Sequence, residues 1–217
     1  MQAMTDELRD HWQKVYATKA PTEVSWYQPV PERSLALIRD TGVPPDAPLL
    51  DVGAGASTLV DQLLAAGYTD LTVLDISGTA LATAQARLGA AAARVRWVEA
   101  DITRFTPERR YALWHDRAVF HFLVEPDRRQ RYLDTLGAAL ALGGHLILAT
   151  FGPQGPTRCS GLPVQRYSAA ELDALLAPRY RLVRSEIEDH RTPAGQPQQF
   201  LYGWWQMISP TLPGPTL

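Results

Sequence analysis

The sequence predicts an α/β fold in which helices cover both faces of a mostly parallel sheet with seven candidate strands. Three observations support this prediction. Short apolar runs alternate with helical stretches from residue 49 to residue 151, a glycine-containing turn follows the first run, and the last two runs are separated only by a turn-like linker. Repeated strand, helix, strand units require right-handed crossovers between parallel strands, so the sheet should be doubly wound.

The elements follow in a regular order. A polar helix is predicted at Thr5–Tyr16, and a second begins at Pro31, because proline suits the first helical turn, and ends near Gly42. The strand candidates are LLDVG, LTVLD, VRWVEA, YALWHD, HLILATF, 180–188 and 198–207, and further helices are expected at 58–66, 79–88, 127–142 and 168–176. The last two strands, joined by RTPAGQP, should form an antiparallel pair at the edge of the sheet.

Length and composition are consistent with one globular domain. A chain of 217 residues with 46% hydrophobic content can form one large core. Within it we expect N-terminal helices and a lid at 1–45, a ligand-binding core at 46–208, and a tail at 209–217 whose prolines disfavour regular pairing.

Charge and cysteine content exclude several classes of function. The formal net charge is -2 and the pI is near 6.2, so we expect no nucleic-acid partner. A single cysteine, Cys159, excludes an internal disulfide, and without an H-E-x-x-H motif we expect no metal site. The single cysteine fits a reducing compartment, and with a polar N-terminus and no long apolar segment we expect a cytoplasmic protein without membrane attachment. We expect a monomer or homodimer.

The segment LLDVGAGAST predicts a nucleotide site. An apolar strand ends at Asp51 and passes through Gly53 and Gly55 into a helix, as in Rossmann-like folds, where a Cβ would block the turn and the approach of a ligand. Asp75 ends the next strand about 20 residues later, where such folds place a carboxylate that accepts the ribose hydroxyls. A glycine pair alone also fits an ordinary tight turn, but Asp75 favours a ligand site.

A third acid lies at the same predicted edge of the sheet. Asp101 follows the third strand, where its carboxylate can accept the exocyclic amine of adenine, and Ile76 and Ile102 can sandwich the ring. The alternative is that Asp101 only caps a helix or forms a turn.

The motifs DVGAGAS, LDIS, EADI and LGGHLIL resemble those of the class I methyltransferases that depend on S-adenosylmethionine (SAM), over roughly residues 49–150. The resemblance implies that SAM binds here, yielding S-adenosylhomocysteine (SAH). It also implies that Asp51 orients the amino group of SAM, although this carboxylate can equally cap the amides of its own loop. Ser57 replaces the usual third glycine and should cap the next helix. Thr58 stands where an NAD site requires glycine, which favours SAM.

The candidate catalytic residues lie at the end of the fourth strand. His115 can remove a proton from an acceptor, and Asp116 or Arg117 can orient it. His115 can equally be a packing or hydrogen-bonding residue. His121 ranks below it, because it can pack under a loop.

Aromatic residues before the core resemble the lid of small methyltransferases of this class. The candidates are Tyr16, Trp26 and Tyr27, although Trp12 and Tyr16 also fit the buried stripe of a helix. The loop after the fifth strand offers Arg158, Cys159 and Arg166 for recognition of the acceptor, with Cys159 alternatively an apolar filler. Trp204 and Trp205 are expected to be structural.

The leading hypothesis is a SAM-dependent methyltransferase acting on N, O or S of a small molecule. A protein-lysine methyltransferase is the first alternative, and a non-catalytic SAM-binding regulatory protein is the second. An NAD-linked oxidoreductase is disfavoured by Thr58 and by the lack of a clear Tyr-x-x-x-Lys pair, and RNA methylation by the lack of a basic, aromatic patch.

Overall fold

The structure, a computed structural model, describes residues 2–208; the predicted tail at 209–217 lies outside the described residues. The strands are β1 (Leu49–Val52), β2 (Leu71–Asp75), β3 (Val95–Glu99), β4 (Tyr111–Arg117), β5 (Leu140–Phe151), β6 (Arg158–Cys159), β7 (Leu162–Pro163), β8 (Tyr180–Arg191) and β9 (Pro197–Met207). The α-helices are α1 (Gln2–Thr18), α2 (Glu32–Asp40), α3 (Leu59–Ala65), α4 (Gly78–Leu88), α5 (Pro126–Ala139) and α6 (Ala169–Leu176).

Seven of these strands form one sheet in the order β3-β2-β1-β4-β5-β9-β8, and β6 and β7 form a separate hairpin. Strands β1 to β5 pair in parallel, whereas β9 is antiparallel to both β5 and β8. The predicted doubly wound sheet with an antiparallel edge pair is therefore confirmed. Since β9 lies between β5 and β8, the edge strand β8 runs in the same direction as the parallel strands.

One predicted boundary is wrong. The helix expected to reach Leu142 ends at Ala139, and Leu140 already belongs to β5. Leu140 is fully buried and pairs with Tyr111 of β4. Burial on the sheet therefore outweighs the helical pattern of the sequence.

Two apolar clusters cover the two faces of the sheet. Along β4, Leu113 belongs to one cluster and Trp114 to the other, and Ile147 and Leu148 divide in the same way along β5. Alternate residues of a strand point to opposite faces, and a central parallel strand is buried on both. The carboxyl ends of β1, β2 and β4 meet at one edge, which is where doubly wound sheets bind ligands.

Candidate functional site

A cavity with an empty volume of about 1080 Å³, including the part open to solvent, lies at the carboxyl ends of the parallel strands. It brings together most of the residues predicted to bind a ligand or act in catalysis. Those that line it are Tyr16, Trp26, Asp51, Gly53, Ser57, Asp75, Ile76, Asp101, Ile102, His115 and Arg117. Gly55 lies behind the lining, and Asp116 points elsewhere.

The turn after β1 needs its glycines for two reasons. Gly53 has φ 62° and Gly55 has φ 56°, in the left-handed region that side chains disfavour. A Cβ on Gly53 would also collide with Val119, and one on Gly55 with the hydroxyl of Tyr16. Ser57 Oγ accepts a hydrogen bond from the backbone N of Leu59, the first residue of α3, at 3.1 Å, but the N-cap residue of this helix is Thr58 and not Ser57.

Asp75 fastens this turn to β2. Its Oδ2 accepts from Gly55 N at 2.7 Å, and its Oδ1 accepts from Ser77 N at 2.8 Å. Burial raises the pKa of Asp75 to about 6, the charge of Asp51 adds to the rise, and the amide hydrogen bonds offset only part of it. This carboxylate therefore lines the cavity and holds the glycine turn in place.

Asp101 is already bound on both oxygens. Oδ1 accepts from the amide and hydroxyl of Thr103 at 2.9 and 2.8 Å, and Oδ2 accepts from Thr5 Oγ1 at 2.9 Å and Arg128 Nη2 at 3.1 Å. Burial alone would raise the pKa of Asp101, but the Thr103 hydrogen bonds, the Arg128 charge and the Thr5 hydroxyl together lower it. The carboxylate caps the short 3-10 helix that contains Ile102, the alternative weighed for it from the sequence.

Helix α1 crosses the open side of the strand ends. Besides the Thr5 contact with Asp101, Gln13 Oε1 accepts hydrogen bonds from Ser77 Oγ at 2.8 Å and Thr79 N at 2.9 Å. These polar contacts tie α1 to the start of α4. Nothing in the sequence indicates Thr5 and Gln13 as site residues, because polar residues on a polar helix carry no signal of their partners.

An aromatic cluster forms part of the cavity wall. The Trp12 ring centroid lies 5.8 Å from that of Trp26, 5.2 Å from Phe122 and 6.3 Å from Tyr16. All four line the cavity, whereas Tyr27 lines a smaller neighbouring pocket. Trp12, which fitted a purely structural stripe, therefore faces the site together with the two expected lid residues.

His115 is held by two side chains at the base of the cavity. Its Nδ1 lies 2.7 Å from Asp51 Oδ1, and its Nε2 lies 2.9 Å from Ser34 Oγ. The carboxylate favours a proton on Nδ1, which leaves Nε2 to accept from the Ser34 hydroxyl. Asp51 is thus bonded to an imidazole, an interaction that neither of its expected roles included. Ser34 of α2 was missed, since an isolated serine has no recognisable pattern.

The structure contradicts the expectation that Asp116 orients the acceptor. It lies on the opposite face of the sheet from His115, fully buried, where Oδ1 accepts from Val119 N at 2.9 Å and Oδ2 accepts from Tyr132 Oη at 2.6 Å. Burial raises its pKa to about 6. Because strand alternation directs this carboxylate away from the cavity, we do not propose it as catalytic.

His121 is also fully buried, and it packs between Phe122 and Phe151. Its Nδ1 accepts from Phe151 N at 3.1 Å. Burial lowers its pKa to about 3, with the Arg117 charge contributing, so the imidazole is neutral. This is the packing role weighed for it from the sequence.

Arg117 places its guanidinium on the cavity wall. Nε donates to Tyr202 Oη at 2.8 Å, Nη1 donates to the Trp26 carbonyl at 2.9 Å, and the guanidinium carbon lies 4.8 Å from the Phe200 ring centroid. Burial raises the pKa of Tyr202, and the neighbouring Ser34 side chain offsets part of that rise. A continuous chain of side chains therefore connects Arg117 through Tyr202 and Ser34 to His115.

Of the three residues that the sequence indicates in the loop after β5, Cys159 lines the cavity. Cys159 is buried on the cavity wall, and burial raises the pKa of its thiol to about 11, so the thiol stays protonated and fits the filler role. Arg158 is exposed and bonds to the Gly161 carbonyl, and Arg166 donates to the Gly155 carbonyl at 3.4 Å. Neither arginine lines the cavity.

Within residues 2–208, no helix is long and apolar enough to cross a membrane. Over the same part of the chain, no group of three or more His, Cys, Asp or Glu side chains is placed to hold a metal ion.

Comparisons with known proteins point to one family. Residues 49–144 match a family model described as a methyltransferase domain. The eEF1A lysine and N-terminal methyltransferase of Mus musculus is 23% identical over 145 residues, which are 64% of this chain and 20% of that protein. The matched part thus spans about a fifth of that relative.

Solved structures show the same fold. A 1,6-didemethyltoxoflavin-N1-methyltransferase of Burkholderia thailandensis, with its substrate and SAH bound, has a TM-score of 0.68 and 23% identity, covering 95% of this chain and 88% of that one. The N-methyltransferase NodS of Bradyrhizobium japonicum WM9 with SAH has a TM-score of 0.69 and 18% identity, covering 92% and 100%. These similarities are evidence for the fold alone.

Proposed function

We propose that this protein is an enzyme that transfers a methyl group from SAM to a nucleophilic N, O or S atom of a small molecule, because residues 49–144 match a family model described as a methyltransferase domain and the chain has the class I fold. One observation supports this proposal above the others. A single cavity combines the glycine turn and two nucleotide-side acids with His115 and Arg117 at its other end.

The nucleotide side suits SAM. Gly53 and Gly55 keep the turn free of side chains, so that the methionine part of SAM can approach the backbone. Asp75 would accept the ribose hydroxyls, and Ile76 and Ile102 would flank the adenine near Asp101. When bound, SAM supplies a methyl group activated by the sulfonium, so alignment of the acceptor provides much of the catalysis.

The other end of the cavity can remove a proton from the acceptor. The Ser34 hydroxyl donates to His115 Nε2, so a proton taken from the acceptor by Ser34 Oγ can move on to the imidazole as Ser34 releases its own. Asp51 would then stabilise the imidazolium through Nδ1. The aromatic cluster in the cavity wall and helix α1 would limit the entry of water.

The shape of the cavity favours a small acceptor. Its empty volume of about 1080 Å³ includes the part open to solvent, and its lining at the acceptor end includes the buried side chains of Ser34 and His115. α1 and the loop carrying Cys159 cover the site. A lysine side chain is the second candidate acceptor, because the relative named above is a lysine methyltransferase.

A methyl-transfer screen tests the proposal. The protein would be incubated with methyl-labelled SAM and panels of phenols, thiols, amines and carboxylic acids, with peptide lysines as a separate arm. Calorimetric titrations with SAH and NAD would run in parallel. We expect SAH binding and labelling of a small acceptor. SAH binding without transfer to any acceptor would favour a regulatory protein, and binding of NAD but not SAH would contradict the proposal.

A further inference from the structure

Arg117 has one guanidinium nitrogen that the protein does not use. Nε and Nη1 are bound to Tyr202 Oη and the Trp26 carbonyl, whereas Nη2 is shielded from solvent and has no hydrogen-bond partner within residues 2–208. A buried, unpartnered donor on a charged group is costly, and more so than on a neutral one. The guanidinium therefore has an unfilled position beside the cavity.

The charges around the cavity are unevenly matched. Asp101 is paired with Arg128, and Asp51 is bonded to His115. Arg117 makes no ion pair within the described part of the chain, and Glu188, whose charge also acts on Tyr202, is not within ion-pair distance of it. The acceptor end of the cavity thus carries an arginine cation without an acidic partner.

Building on the proposed function, we propose that Arg117 is the anion-binding residue of this cavity and holds a carboxylate. Two of its three guanidinium nitrogens are held by the protein, so Nη2 is oriented before a ligand arrives and little side-chain entropy remains to be lost on binding. Trp26, whose carbonyl holds the guanidinium, also belongs to the aromatic wall. A planar ring carrying a carboxylate would meet both features at once.

The carboxylate has two sources in a methyltransferase site. One is the methionine part of SAM, which SAH retains, and the other is an acidic acceptor. 5′-Methylthioadenosine has the adenosine and the thioether but no carboxylate, so its comparison with SAH isolates the first source. Benzoate, titrated into protein saturated with SAH, probes the second source with a planar ring and a single carboxylate.

The experiment compares Arg117→Gln with Arg158→Gln in calorimetric titrations with the three ligands. Arg158 is an exposed arginine outside the cavity, so its variant controls for the loss of one positive charge. Loss of a charge-assisted hydrogen bond should weaken binding roughly tenfold to a hundredfold. Arg117→Lys keeps the charge without the planar fork and carries the test if Arg117→Gln fails to fold, with a smaller loss expected.

The outcomes separate the two sources. Weaker SAH binding with unchanged 5′-methylthioadenosine binding assigns Arg117 to the cofactor carboxylate. Unchanged binding of both nucleosides with loss of benzoate assigns it to the acceptor. If neither SAH nor benzoate responds to the folded variants, or if both nucleosides weaken equally, the proposal is overturned. Failure of the wild type to bind SAH would instead overturn the proposed function, and this inference with it.

Discussion

The two ends of the cavity are built in different ways. At the nucleotide end, Asp75 accepts hydrogen bonds from two backbone amides, and Asp101 accepts from the amide and hydroxyl of Thr103 besides the Thr5 and Arg128 side chains. At the acceptor end, side chains from β1, α2, β4 and β9 form a chain from Asp51 and His115 to Ser34, Tyr202 and Arg117. Among the described residues that line the cavity, Arg117 at this end has a buried nitrogen without a hydrogen-bond partner.

This difference has a functional consequence. A carboxylate held by backbone amides keeps its position whichever acceptor is bound, so the nucleotide end can serve one cofactor. A network of side chains can change with single substitutions, which suits the end that selects the acceptor. Variants at the two ends should therefore separate cofactor affinity from rate.

The largest effect is expected at His115. For an acceptor that must lose a proton, Ser34→Ala and His115→Ala should lower the rate by roughly 10²–10⁴-fold while changing SAH affinity only slightly, since a base acts in the transition state. Single-turnover rates over a pH series and SAH titrations measure the two effects. His145→Ala is the matched control, because His145 bonds to Trp204 outside the cavity. A full rate at every pH would mean that His115 is structural.

Substitution of Asp75 should mainly weaken cofactor binding, in contrast to substitution of His115, which should mainly lower the rate. Asp75→Ala removes the acceptor of both ribose hydroxyls and should weaken SAM and SAH by about tenfold to several hundredfold. Asp70→Ala, at the other end of β2 and paired with Arg109, is the control. Circular dichroism must confirm folding, because Asp75 also holds Gly55. Unchanged affinity in a folded variant would show that the nucleotide site is misplaced.

The raised pKa of Asp75, about 6, adds a pH dependence. Ribose hydroxyls bind best to the ionised carboxylate, so SAH affinity should fall as the pH decreases through about 6. The Asp75→Ala variant should lack this decrease. An equal decrease in both proteins would assign the titration to another group.

Asp116 should have the smallest effect on binding and rate, because both oxygens serve the fold. Its pKa is raised from 3.8 to about 6, so between these values the folded state binds more protons than the unfolded chain. The free energy of unfolding should therefore decrease as the pH rises from 4 to 6. Asp116→Asn should reduce that slope in urea titrations and leave SAH affinity unchanged. An unaltered slope, or a loss of SAH binding in the folded variant, would contradict this assignment.

The sequence by itself determined the sheet and the nucleotide end of the cavity. Strand periodicity, the glycine turn and the acids that follow β2 and β3 are local patterns, and parallel strands bring their carboxyl ends to one edge whatever the helices do. Gly53, Gly55 and Asp75 could therefore be placed before any contact was known. The boundary between α5 and β5 could not be placed from the sequence, because it depends on the burial of Leu140 in the sheet.

Tertiary structure alone decided the acceptor end. Ser34 and Tyr202 lie far apart in the sequence and carry no motif, so only the packing of α2 on the sheet and the position of β9 beyond β5 could place them beside His115 and Arg117. The run His115, Asp116, Arg117 suggested three adjacent functional groups, but alternation along β4 turned Asp116 to the opposite face. A strand pattern specifies which residues alternate, whereas the layers packed on each face determine which of them meet a ligand.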